Sequence, residues 1–123
     1  MSDLILASGS PRRRTLLHQL GLRFSVLVPD IDEALLPDEP ARDYVFRMST
    51  SKFDAAREAV RHEQQVVICA DTVVIRDAAI LGKPADEAEC VEMLMSLSGR
   101  EHSVVTSVTL GRSEPVTLSS ETI

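Results

Sequence analysis

The sequence predicts an α/β domain: a mixed β-sheet flanked by helices. Short β-branched runs alternate with stretches of helical period, and one strand folds back as a hairpin within the series. The composition agrees, since 123 residues with 44% apolar and 26% charged side chains suit one globular domain with its own core. The predicted order is β-α-β-α-β-β-α-β.

Residues 3–7, DLILA, form a short buried strand. Ser10 is placed to cap a helix with Pro11 at its first position, Leu16, Leu17 and Leu20 supply an apolar face, and Gly21 ends it. Residues 23–28, RFSVLV, give a second strand with Phe24, Val26 and Val28 on one side. The proline-bounded acidic stretch PDIDEALLPDEP is a loop. From Ala41 to His62 the period is helical, with Val45, Met48, Ala55, Ala56 and Ala59 on one stripe. Residues 65–75, QVVICADTVVI, are the strongest strand, and a turn at Arg76–Asp77 leads into AAIL as a hairpin. Asp86 with Glu89 three residues on reads as a capping box, ahead of a helix burying Val91, Leu94 and Met95 and closed by Gly99. His102 to Leu110 alternates as a further strand, and the tail GRSEPVTLSSETI offers a turn and a β-like stretch without an evident partner.

The formal net charge of −6 argues against a general nucleic-acid or anionic-membrane binder, and the 3% of aromatic residues leaves little for base stacking. Any anion site must be a local basic cluster. Cys69 and Cys90 belong to no metal or redox spacing and read as reduced thiols. With no basic leader and no apolar run of spanning length, the expected setting is the cytoplasm.

Three places break local rules. In SGSPRRR the cations Arg12, Arg13 and Arg14 stand at the positive end of a helix, where they are disfavoured. A Ser-Gly-Ser turn opening a helix aims backbone N–H groups at one spot, so Arg12 and Arg13 can gather round a bound phosphate there. The alternative is that they are simply solvated, which is the reading for Arg14. Lys52 falls near the middle of the apolar stripe, so it must snorkel, pair with an acid or project into a cleft. Asp71 sits within VVICADTVVI, either as a hydrogen-bonded structural carboxylate or as a catalytic one. Lys83, in GKP beyond the hairpin, either returns a positive charge to that neighbourhood or is an ordinary loop lysine. His18, His62 and His102 are scattered and form no zinc set. A metal would be held by oxygens, with Glu33 and Asp71 the candidate donors, which suits Mg²⁺ or Mn²⁺ bridging phosphates.

In their order and spacing LILASGSPRR, the DE of DIDE, Lys52, ADTVV, LGKP and LSGREHSVVT resemble the Maf family of nucleoside triphosphate pyrophosphatases, from residue 4 to about residue 110. The resemblance implies a two-lobed α/β fold with an elongated mixed sheet and an interlobe cleft, similar to inosine triphosphate pyrophosphatases. It implies a nucleotide pyrophosphatase portion over 1–110 and, over 111–123, the start of a C-terminal portion, so that the second lobe is incomplete. Cys69 stands where glycine is usual in the family, DAA replaces the common DG turn, and the later KAGxYGIQG-type motif is absent.

The activity implied is hydrolysis of nucleoside triphosphates to monophosphate and pyrophosphate with a divalent metal, Mg²⁺ or Mn²⁺. The SPRR and ADT forms resemble the dTTP and UTP branch. By this resemblance Ser8, Arg12 and Arg13 contact the triphosphate, Lys52 and Lys83 hold phosphate oxygens, Glu33 helps bind metal, and Asp71 is general base or metal ligand. Water would attack the α-phosphorus in line, with cations at the phosphates supplying most of the rate. A homodimer is implied as well. The rival expectations are a catalytically impaired nucleotide-binding protein, a septum-formation regulatory protein, and a partly folded fragment.

Overall fold

The computed structural model describes residues 3–60, 64–77, 79–81, 86–97, 99 and 101–123; Lys83 and His62 lie outside them. In chain order the elements are β1 (Leu4–Ala7), α1 (Pro11–Gln19), β2 (Ser25–Leu27), α2 (Ala41–Ala59), β3 (Val66–Arg76), β4 (Ala79–Leu81), α3 (Glu87–Leu97), β5 (Ser103–Gly111) and β6 (Val116–Thr122). The sheet runs β2-β1-β3-β5-β6, with β4 paired to β3. Its β2, β1 and β3 strands are parallel, whereas β4, β5 and β6 join antiparallel, so the sheet is mixed as predicted.

Local chemistry sets the helix ends. Ser10 Oγ accepts the Arg13 N–H at 3.4 Å with Pro11 in the first turn of α1. At the other end Gly21 adopts φ 77°, its N–H meets the His18 carbonyl, and Leu22 N–H reaches back to Leu17. That pair of bonds is a Schellman closure, which needs the left-handed residue glycine supplies. Asp86 Oδ1 accepts the Glu89 N–H at 2.8 Å and so caps α3. Gly111, at φ 150°, opens the β5–β6 turn where a Cβ would stand 2.9 Å from the Glu114 carbonyl oxygen.

α2 is the organising helix. Ala41, Val45, Met48, Ser49, Phe53 and Ala56 face the sheet, while Ala55 is half-buried and Ala59, expected on that stripe, is exposed. Beneath it lie two apolar clusters. One joins Ile5, Ala7, Phe53, Ala56, Val67 and Cys69; the other joins Ala41, Val45, Val73, Ile75 and Val105. Burying a side chain the size of Phe53 or Val45 contributes about 1.5–3 kcal/mol. Between the clusters the contact turns polar: Ser49 Oγ bonds Ser107 Oγ at 2.8 Å and Thr109 Oγ1 at 2.9 Å, all three residues being buried.

Several expectations require correction. Leu16 of α1 and its capping residue Leu20 are exposed and α1 buries no residue, because the helix packs only lightly on the rest of the fold. In α3, Val91, Leu94 and Met95 are exposed; the half-buried positions are Cys90, Met93, Ser96 and Leu97, a face rotated from the expected one. Val26 of β2 and Val28 just after it are exposed, and Leu27 packs on the core. The tail does find a partner: β6 pairs with β5 from Leu110↔Val116 to Val104↔Thr122.

Candidate functional site

The topology opens a gap in the sheet. The chain leaves β1 for β2 on one side and then returns across β1 to β3, so the strand order reverses between β1 and β3. In open α/β sheets, ligands bind outside the carboxyl ends of the strands at such a point. β1 pairs only with Val66 to Ile68 of β3, and β4 pairs only with Val74 to Arg76. Between them the outer edge of β3 has no strand partner among the described residues, and Asp71 and Thr72 lie in that interval. Extending the parallel register two places from Leu6↔Ile68 puts Ser8 level with Ala70, next to Asp71.

Because successive residues of a strand face opposite ways, Asp71 points to the α2 side and Thr72 to the other. On the α2 side Lys52 Nζ donates to Asp71 Oδ1 at 3.0 Å, and both side chains are only 16% exposed. The same ammonium lies 3.5 Å from Glu33 Oε1, on a carboxylate that is 62% exposed. Of the three fates open to Lys52, pairing with an acid is therefore the one adopted. Asp71 accordingly lies against a cation rather than in wholly apolar surroundings. The exposed Glu33 arm contributes at most about 1 kcal/mol, but Lys52 and Asp71 are sheltered from water: removal of Lys52 takes the ammonium from Asp71, and removal of Asp71 leaves Lys52 only the exposed Glu33 arm.

On the opposite side, Arg13 donates from its guanidinium to Thr72 Oγ1 at 3.1 Å, and Thr72 Oγ1 is 3.0 Å from Thr106 Oγ1. Arg12 and Arg14 are exposed, so the structure sets Arg13 apart from its neighbours. The buried Ser8 accepts the Ser10 N–H on its Oγ at 3.1 Å, and Ser10 Oγ holds the Arg13 N–H. These hydroxyls lock the turn and use two of the amides that an anion could otherwise meet. The structure thus brings Glu33, Lys52 and Asp71 together and ties Arg13 to the residue beside Asp71. No hydrogen bond or ion pair among the described residues joins Ser8 or Arg12 to that cluster.

Two side chains escaped the sequence reading. Tyr44 OH donates to the Glu33 carbonyl oxygen at 2.6 Å. Arg47 donates to both carboxylate oxygens of Glu39, at 2.7 and 2.8 Å, and to the Ala34 carbonyl at 2.9 Å. The available signal was a tyrosine, the only one in the chain, three residues before an arginine on the helix that follows an acidic loop. Burial first, then the charges of Asp71 and Glu33, push the Tyr44 phenol up, so it remains a donor at neutral pH. Cys69, fully buried on β3, has its thiol pushed up to about 12 by burial, which disfavours the reactive thiolate at neutral pH.

Among the described residues no three His, Cys, Asp or Glu side chains form a ready-made metal cage. Mg²⁺ commonly takes only one or two carboxylates and the substrate's phosphates, however. Asp71 and Glu33 already converge on a single ammonium, so the donor set fits a cation of that kind. A depression lined by Arg42, Val105, Ser119, Ser120 and Glu121 includes none of these residues. No described helix is long and apolar enough to cross a membrane.

Residues 3–122 match the family described as Maf-like protein. The chain is 48% identical to the dTTP/UTP pyrophosphatase of Vibrio parahaemolyticus over 112 residues, 91% of this chain and 59% of that one. It is 49% identical to the dTTP/UTP pyrophosphatase of Symbiobacterium thermophilum over 115 residues, 93% of this chain and 58% of the relative. It therefore spans about three fifths of the length of these relatives. Among solved structures, a nucleoside-triphosphatase / dITP/XTP pyrophosphatase from Mycobacterium abscessus aligns with TM-score 0.50 at 14% identity, over 96% of this chain and 70% of that one. At that identity the likeness concerns the fold alone.

Proposed function

We propose that this chain, which belongs to the Maf-like protein family, carries the phosphate-handling part of a metal-dependent nucleoside triphosphate pyrophosphatase. In this reading dTTP and UTP are the substrates, and water attacks the α-phosphorus to leave a monophosphate and pyrophosphate. The observation that carries the proposal is the Lys52 ammonium between Asp71 and Glu33, in the gap where the strand order reverses. The names borne by the relatives, dTTP/UTP pyrophosphatase, support the substrate class. The two free cysteines, one buried, suit the cytoplasm as the proposed setting.

The barrier to such a hydrolysis is mostly charge and positioning. Arg12 and Arg13 at the start of α1 would hold the outer phosphates with planar donor forks. Lys52 would exchange part of its hold on the carboxylates for a phosphate oxygen, and Lys83 is assigned the same role from its motif. Asp71 would take the proton of the attacking water, with the Lys52 contact fixing which way its carboxylate faces. Asp71 and Glu33 would hold a divalent cation, which when bound supplies charge neutralisation at the triphosphate.

The test is Asp71→Asn, which keeps shape and removes the charge. Pyrophosphate release from dTTP is expected to fall by about a hundredfold or more, while calorimetric affinity for the nucleotide changes by less than about tenfold. Normal turnover in that variant would remove Asp71 from the chemistry. Binding without pyrophosphate release in the unmodified chain would favour a nucleotide-binding role instead.

A further inference from the structure

Glu33 stands on an irregular acidic loop, and an exposed loop carboxylate is a poor place for a group that must meet a cation at a set distance. We infer that Tyr44 and Arg47 form a clasp on α2 that positions the loop so that Glu33 lies beside Lys52; the inference rests on the pyrophosphatase reading for its catalytic consequence. The clasp closes at three points. Tyr44 OH holds the Glu33 carbonyl at 2.6 Å, Arg47 holds the Ala34 carbonyl at 2.9 Å, and the same guanidinium grips the Glu39 carboxylate with two bonds. The guanidinium also stacks over the Tyr44 ring, 5.5 Å from its centroid, so the two residues steady each other.

The far end of the loop is built to receive that grip. Glu39 N–H meets the Leu36 carbonyl, and Glu39 Oε1 accepts the Leu36 N–H at 3.2 Å. Pro37 followed by Asp38 at φ 57° makes the tight turn that folds Glu39 back. The Glu39 side chain is 8% exposed, so this carboxylate is an anchor and not a second metal donor facing solvent. Among the described residues Arg47 makes no hydrogen bond or ion pair with Asp71 or Lys52, and it acts through the loop: it is a positioning residue. Both ends of the 34–39 segment are tied to one helical turn, and the helix that carries the clasp also carries Lys52.

A double-mutant cycle tests the inference. Arg47→Ala is expected to lower kcat for dTTP about tenfold, with KM moving less than about threefold; in a Glu33→Gln background it should cost less than about twofold further. Tyr44→Phe keeps the ring and removes one bond, so kcat should fall in the same direction by a smaller factor. Independently of activity, amides of Ala34 and Leu36 should exchange at least about tenfold faster in Arg47→Ala, with the amides of α2 unchanged. Equal losses in both Glu33 backgrounds, or unchanged exchange in the loop, would overturn the clasp. An unmodified chain that releases no pyrophosphate would count against the proposed function only, since the exchange measurement still decides whether the clasp exists.

Discussion

Lys52 keeps its place on a helix face otherwise given to Val45, Met48, Phe53 and Ala56 because two carboxylates meet its ammonium. A lysine there is costly alone and stable when paired, which makes the pair sensitive to anything that competes for either partner. Glu39 shows the complementary case. The hydrogen bonds from Arg47 hold its carboxyl below the ordinary 4.5, outweighing burial, with the Leu36 N–H and the Arg47 charge acting the same way. A lowered carboxyl contributes stability that is full above its unfolded value and lost as pH falls through the folded one. The melting temperature of the unmodified chain should therefore exceed that of Glu39→Gln at about pH 7, and the gap should narrow as the medium is acidified below the ordinary carboxyl value of 4.5. Melts followed by circular dichroism check this; a gap independent of pH would mean that the carboxylate charge plays no part.

At the scale of elements, the polar seam beneath α2 holds the helix in register with β5 between two apolar clusters. Ser49→Ala would strip a shared partner from the hydroxyls of Ser107 and Thr109. Denaturant unfolding should show a loss of about 1–3 kcal/mol, and a neutral result would show that the seam contributes nothing. Elements governed by neighbours in sequence were legible: the Ser10–Pro11 start of α1, its Gly21 closure, the Asp86 cap and the long β3 all lie within a residue or two of expectation. Faces set by distant packing were not. Periodicity marks an apolar side in Leu16 and Leu20, or in Val91, Leu94 and Met95, but does not say what will cover it, and here these side chains are exposed. The tail showed its turn and its β-like stretch in the sequence; what the pattern did not name was β5 as the strand that β6 pairs with.

For the whole molecule, the reversal of strand order puts three separated stretches around one gap: the turn after β1, the loop before α2, and the middle of β3. Lys52 and Asp71 were legible as charges in apolar settings, and Arg13 as a cation at the wrong end of a helix. Their partners were not, since Thr72 for Arg13 and Tyr44 and Arg47 for the Glu33 loop follow only from the packing of α1 and α2 on the sheet. As proposed, this gap would direct water to the α-phosphorus of a nucleoside triphosphate, and the oxygen of that water would then end in the monophosphate. The most direct measurement is turnover of dTTP with Mg²⁺ in water enriched in heavy oxygen, reading the label in each product by mass spectrometry. Attack at the α-phosphorus leaves label in the monophosphate and none in the pyrophosphate. Label in pyrophosphate or orthophosphate, or no hydrolysis at all, would contradict it.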